Sequence, residues 1–249
     1  MSTSAIYEAV IGAVQARVSG KIRHLDIGAG RGQLISLLKQ RIDADSQACD
    51  FHVENFAVAG VPLAKVNIDK EPLPYPNASF DAVTCSEVVE HVENPRRLMR
   101  EAWRVLRPGG VLVMTTPNVL NAVSRVRYLV SGFANLFGPL PAKNDKLYST
   151  GGHITPLPYF YLAHALLDAD FGDVELAIDR TQKTSVALAV LLFPLVALGW
   201  LRFWRREERK YGTLTPENRA HVARHFSWAA LTGRTIVVSA RKLHPPKSP

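Results

Sequence analysis

The chain has 249 residues, 47% of them hydrophobic and 21% charged, with two cysteines and a formal charge of +8. That length suffices for one α/β domain over 1–249 with a sizeable core, and two cysteines are too few for a disulfide scaffold. A pI near 9.7 favours an anionic partner: nucleic acid, a phosphorylated substrate or acidic lipid.

Met1 to Val18 carries Ile6, Val10, Ile11, Val14 and Val18 on one helical face and lacks a basic n-region and a long apolar core. It is read as an amphipathic helix packed beside a sheet, not as a secretory signal. Ile22 to Leu25 reads as a short buried strand. Asp26-Ile27-Gly28-Ala29-Gly30-Arg31-Gly32 follows, and Leu34, Ile35, Leu37 and Leu38 then recur at helical spacing. The glycines therefore sit on a strand-to-helix turn that aims free N–H groups at a ligand. The spacing is G-x-G-x-G; the dinucleotide pattern G-x-G-x-x-G would need a glycine where Gln33 stands.

Ser46 to Phe51 reads as a second strand ending at Asp50, about 20 residues past the turn, where a carboxylate can accept both hydroxyls of a ribose. Phe51 can then lie against the base. Ala64 to Ile68 is a third strand, running to Asp69. Pro72, Pro74 and Pro76 make a stiff connection. Phe80 to Ser86 is a fourth strand, a helix starts at Asn94-Pro95, Arg107 to Gly110 reads as a turn, and Val111 to Thr115 as a fifth strand. Strands alternating with helices indicate a parallel, doubly wound sheet. Cys49 and Cys85 both fall inside predicted strands, as buried free thiols that suit a reducing cytosol.

The G-x-G-x-G turn with Asp26 before it, and the run "FDAVTCSEVVEHVENP…LMREAWRVLRPGGVLVMTTPN", resemble class I S-adenosylmethionine-dependent methyltransferases. The likeness is to the domain of ubiquinone-pathway O-methyltransferases and of bacterial surface-glycan methyltransferases. It covers about residues 20–180, with Arg234 to Lys242 returning as a last strand. The resemblance implies a Rossmann-like, mostly parallel seven-stranded sheet with an antiparallel last strand, and S-adenosyl-L-methionine as cofactor. It places Asp26, Gly28, Ala29, Gly30, Gly32, Asp50, Phe51, Asp69 and Ser86 at the cofactor, with Asp69 at the adenine amino group.

Two segments depart from a minimal domain of that kind. Residues 119–150, apolar at Val119, Leu120, Val123, Val126, Val130, Phe133 and Phe137, are read as a lid over the acceptor side, because insertions after the fifth strand fall beside the cleft. Residues 184–232 lie between the last two strands. From Thr184 through Leu201 there is no charge, near the length of a bilayer span. Trp200, Phe203 and Trp204 then adjoin Arg202, Arg205 and Arg206. A single crossing would separate two strands that must pair, so this is an in-plane or re-entrant membrane element, a helix at a partner interface, or core. Aromatic residues beside basic ones suit anionic headgroups. Residues 184–210 are therefore expected on a membrane surface, with the protein cytoplasmic and peripheral on the inner face of the cell membrane. The helix bearing His221, His225 and Trp228 is expected as a solvated cover.

Methyl transfer to a hydroxyl needs donor and acceptor held in line, with the proton removed by a base or by a metal that lowers the hydroxyl pKa. Glu87, Glu90, His91 and His153 are the candidate catalytic residues. Glu87-x-x-Glu90-His91 places three potential ligands on one side of a helical turn, able to bind Mg²⁺ or another divalent ion. The same Glu-x-x-Glu-His occurs in ubiquinone-pathway O-methyltransferases and small-RNA 2′-O-methyltransferases, where a later histidine completes the site; His153 matches it here. Equally, the two histidines can line the pocket or move a proton with no metal. The expected function is methylation, at oxygen, of a small-molecule or of a lipid- or glycan-linked acceptor at the membrane surface. The alternatives are an RNA 2′-O-methyltransferase, against which the chain shows no recognisable RNA-binding module, and a non-catalytic membrane-associated assembly subunit.

Overall fold

The computed structural model describes residues 4–140 and 152–243. The part of the expected lid from 141 to 150, and the basic tail beyond 243, lie outside the described residues.

Seven strands form one sheet: β1 (Ile22–Ile27), β2 (Ala44–Asp50), β3 (Leu63–Lys65), β4 (Phe80–Ser86), β5 (Leu106–Pro117), β6 (Phe171–Ile178) and β7 (Thr235–Lys242). Their order is β3-β2-β1-β4-β5-β7-β6. β1 to β5 pair in parallel, and β7 runs antiparallel to both β5 and β6. The expected seven-stranded, mostly parallel sheet with an antiparallel last strand is what forms.

The central strands are buried on both faces, which is why their sequences read as continuous apolar runs. Ala82, Val111 and Val113 point toward α1 (Ser4–Gln15) and α2 (Gln33–Lys39). Val83, Cys85, Leu112 and Met114 point the other way, toward α3 (Pro95–Val105) and α5 (Tyr159–Asp168). The two faces alternate residue by residue, as strand geometry requires.

Arg107 to Gly110, expected as a turn, belongs to β5 as an irregularity. The register passes from Phe80 opposite Leu106 directly to Ala82 opposite Val111. A Cβ on Gly110 would lie 2.9 Å from the Arg107 carbonyl oxygen, so the chain doubles close on itself there.

α4 (Ala122–Ser131) follows β5, and α6 (Lys183–Arg206) leaves β6. The expected helix around His221 to Trp228 is broken into α7 (Arg219–Ala223), a 3-10 turn and α8 (Trp228–Thr232). Ser227 is extended and caps α8 by accepting from the Ala230 amide. Nor is the segment merely a solvated cover. Tyr159 Oη lies 2.9 Å from His221 Nδ1, and His225 Nε2 accepts from the Phe160 amide at 2.8 Å. Burial pushes the His225 imidazole down to about 4, so it stays neutral as that acceptor.

β6 and β7 pair from Glu175 opposite Ser239 to Ile178 opposite Ile236. Both ends of the 184–232 insertion therefore return to the same sheet edge.

Candidate active site

The cleft lies beyond the carboxyl ends of β1, β2, β4 and β5, where open parallel sheets bind their ligands. At the end of β1, Gly28, Gly30 and Gly32 all have positive φ. Two of them are also packed. A Cβ on Gly28 would fall 2.2 Å from Val88 Cγ2, and one on Gly32 2.3 Å from Val58 Cγ2. Gly30 meets nothing within 4 Å, so its position faces the open cleft.

The turn's amides are less bare than its sequence suggested. Gly28 and Ala29 donate to the Cys49 carbonyl, Gly32 donates to Ala29, and Gly30 donates to Asp50 Oδ2 at 2.8 Å. Asp50 Oδ1 accepts from the His52 amide. The ends of β1 and β2 are thereby tied to each other. Each Asp50 oxygen keeps a free lone pair, and the open donors are those at the head of α2. Phe51 is half-exposed beside Asp50, its ring edge-on to His52. Asp69 accepts from the Glu93 and Asn94 amides through Oδ1, which anchors the loop before α3.

Asp26 is buried under the turn, and a directed chain runs to it. Its Oδ1 accepts from Thr84 Oγ1 at 2.7 Å, and Thr84 Oγ1 lies 2.8 Å from His24 Nε2. The Thr84 proton is committed to Asp26, so Thr84 accepts from His24 Nε2–H, and His24 Nδ1, 3.2 Å from Ser46 Oγ, accepts in turn. Burial pushes Asp26 up to about 7 and the neutral His24 down to about 3. His24 and Thr84 were not singled out from the sequence. Their signal was there, as polar residues inside otherwise apolar strands on the same face as Asp26.

The acceptor side is built differently. Glu87 adopts a left-handed φ of 56°, a strained conformation for a residue with a Cβ. Its amide is held by Thr115, whose hydroxyl donates back to Glu87 Oε1 at 3.1 Å. The expected helical turn is a 3-10 turn over Val89–His91 only. Glu87 therefore does not share a face with Glu90 and His91, which corrects the expectation of one ligand group. The structure brings together Glu90, His91 and His153, each with one ligating atom within 4.8 Å of the others.

His153 arrives there because its segment is sewn to the 3-10 turn. Ile154 and Thr155 amides donate to the Glu90 carbonyl, Thr155 Oγ1 donates to the Val92 carbonyl, and His91 Nδ1 donates to the Gly152 carbonyl at 2.9 Å. That last bond leaves His91 Nε2 with its lone pair. The two imidazoles sit edge to face at 4.8 Å, with Phe137 against His153.

Several buried polar atoms here make no well-formed hydrogen bond: both Glu90 oxygens, His153 Nδ1, Ser86 Oγ and Thr116 Oγ1, with Thr116 standing beside the Glu90 carboxyl and the Leu136 backbone beside His153. Burial, then the neighbouring Glu87, drive the Glu90 carboxyl well above its ordinary range, and burial lifts Glu87 to about 7. Burial, and then the proximity of His153, lower His91; burial also lowers His153. Both imidazoles are thus neutral at neutral pH. A cavity of about 270 Å³ opens over them, lined by His91, Leu136, Gly138, Pro139, Leu140, Gly152 and His153.

Residues 25–114 match the family described as a methyltransferase domain. A ubiquinone biosynthesis O-methyltransferase from Xanthomonas oryzae pv. oryzae is 36% identical over 104 residues, covering 39% of this chain and 43% of that protein. The chain thus spans less than half the length of the curated relatives it matches. Among solved structures, an S-adenosylmethionine-dependent methyltransferase from Archaeoglobus fulgidus superposes with a TM-score of 0.58 at 16% identity, over 95% of this chain and 94% of that one. Phosphoethanolamine N-methyltransferase 2 of Haemonchus contortus, solved with S-adenosyl-L-methionine, superposes at 0.54 and 15% identity over 96% of this chain and 52% of that one. At such identities these two establish the fold alone. Residues 25–114 thus carry a match to the methyltransferase domain, and the whole chain shares the fold of S-adenosylmethionine-dependent methyltransferases of known structure.

Proposed function

We propose that the chain methylates a hydroxyl of a small lipid- or glycan-linked acceptor at the cytoplasmic surface of a membrane. The observation that carries the acceptor site is the Glu90, His91, His153 cluster under its cavity, beyond the ends of β4 and β5. S-adenosyl-L-methionine, when bound, supplies an electrophilic methyl group on a sulfonium. The chain's own residues do the rest. Asp50 and the head of α2 hold the nucleoside, and Gly30 gives it room. His91, its Nδ1–H fixed on Gly152, offers Nε2 to the acceptor hydroxyl and takes its proton. His153 and Phe137 wall the pocket against water.

The donor set also fits a divalent cation: a buried carboxylate with neither oxygen in a well-formed hydrogen bond, and two imidazoles, one with a nitrogen in the same state. Glu90, His91 and His153 would hold it, and it would lower the pKa of the acceptor hydroxyl. Mixed nitrogen and oxygen donors suit Mn²⁺ or Zn²⁺ at least as well as Mg²⁺.

Membrane placement is supported by α6, whose most apolar 18-residue stretch has a mean hydropathy of 2.2 and is only 11% buried. The RNA alternative loses support, because much of the basic group Arg96, Arg97, Arg100, Arg104 and Arg107 is engaged within the fold. Arg96 pairs with Asp168, Arg104 with Glu101, Arg107 with Asp81, and Arg97 donates to the Asp69 carbonyl.

The test is transfer of labelled methyl from S-adenosyl-L-methionine into a membrane lipid and glycolipid extract. Incorporation is expected with the wild type and lost in His91→Ala and His153→Ala while cofactor binding persists. Full transfer by both variants would overturn the assignment.

A further inference from the structure

Resting on the membrane reading above, we infer that α4 and α6 together form one face seated in an anionic bilayer, and that the acceptor enters the His91–His153 pocket from that face. The sequence suggests a lid over 119–150. Within it, the outer residues of α4 face solvent: Leu129 is 85% and Val130 77% exposed. What lines the pocket is the chain just after it, Leu136 to Leu140.

α4 lies against α6 through Ala122 and Ala189, with an apolar groove of about 30 Å³ between the helices. Both helices carry exposed apolar side chains beyond that contact. On α6 the buried side is Ser185 and Ala189. The opposite side, including Leu191 at 72% and Leu195 at 70% exposed, has no polar residue from Ala187 to Leu201. A helix apolar on its open face as well as its packed face needs an apolar solvent.

The order along α6 identifies that solvent. The apolar run gives way to Trp200, Phe203 and Trp204, and then to Arg202, Arg205, Arg206, Arg209 and Lys210 against only Glu207 and Glu208. An apolar run ending in aromatic and cationic side chains suits a helix whose apolar length lies in the leaflet and whose end meets anionic headgroups. The pairing of β6 with β7 forbids a single crossing, so the helices lie on one leaflet.

The experiment uses the full chain with phosphatidylcholine vesicles, with and without phosphatidylglycerol. Single cysteines at Leu129, Leu195 and, as a control on α2, Ser36 carry an environment-sensitive fluorophore; Cys49 and Cys85 are buried and stay unlabelled. On anionic vesicles the probes at 129 and 195 should both shift to the blue, and the probe at 36 should not. Leu129→Asp and Leu195→Asp should each lower vesicle binding at least tenfold with unchanged thermal midpoint. A shift at 195 without one at 129 would overturn the two-helix face while sparing the membrane reading. No vesicle binding at all would sink both. Binding lost in favour of a dimer that Leu195→Asp dissociates would assign the face to a second copy of the chain instead.

Discussion

The donor side and the acceptor side of the cleft are opposites in hydrogen bonding. Around β1 and β2 most polar groups are spoken for, His52 Nε2 excepted: Gly30 by Asp50, Asp26 by Thr84, Thr84 by His24 and His24 by Ser46. Around the ends of β4 and β5, Glu90, His153, Ser86 and Thr116 present buried atoms with no well-formed hydrogen bond. Unpartnered buried polar groups are costly. The contrast teaches that the β1–β2 end of the cleft is tied together by its own hydrogen bonds, whereas the β4–β5 end keeps polar atoms for a ligand, as the proposed function requires.

That contrast can be broken at several points. The largest effect is expected at Asp26. Burial raises its folded value to about 7 from an ordinary 3.8, so the folded state holds the proton more tightly than the unfolded chain. Its favourable contribution is full below the ordinary value and fades as pH rises to about 7, a change on the order of 4 kcal/mol. Urea denaturation of Asp26→Asn should show a stability that falls less between pH 4 and 7 than the wild type's. Parallel pH curves would mean Asp26 is not desolvated as described.

Gly32→Val should cost about 3 kcal/mol, combining a positive φ with a collision against Val58 and Phe56. Gly30→Ala should cost only about 1 kcal/mol of stability, because nothing stands near it. If the two glycines prove equally sensitive, the division between packed and ligand-facing positions fails.

Asp50→Ala should weaken S-adenosyl-L-methionine binding by roughly 10- to 100-fold, the loss of one or two hydrogen bonds to a charged acceptor, as read by calorimetry. Unchanged affinity would remove Asp50 from the site. Glu90→Gln removes a buried carboxylate that burial and Glu87 disfavour. It should raise stability at pH 8 by about 1–2 kcal/mol. Lost stability would show that Glu90 has a partner in the folded protein.

How far the sequence was legible follows the same divide. β4 was readable as an apolar run after the prolines, and β1 and β2 from their place on either side of the glycine turn and its helix, while the pairing of the last two strands followed from the sheet topology. β5 runs longer than expected, since a proline and two glycines read as a turn although the chain only bulges. Glu87 was misplaced because its left-handed backbone is dictated by Thr115, a contact 28 residues away that no local pattern carries. The outward face of α4 was missed for a related reason. Periodicity shows which residues share a side but not which side meets the protein.

The most direct test titrates S-adenosyl-L-methionine into the purified chain and then soaks its demethylated product into crystals. The account predicts saturable binding to a single site, with the ribose on Asp50 at the end of β2 and the sulfur facing His91 and His153. An empty cleft, or a nicotinamide dinucleotide bound there in preference, would contradict it.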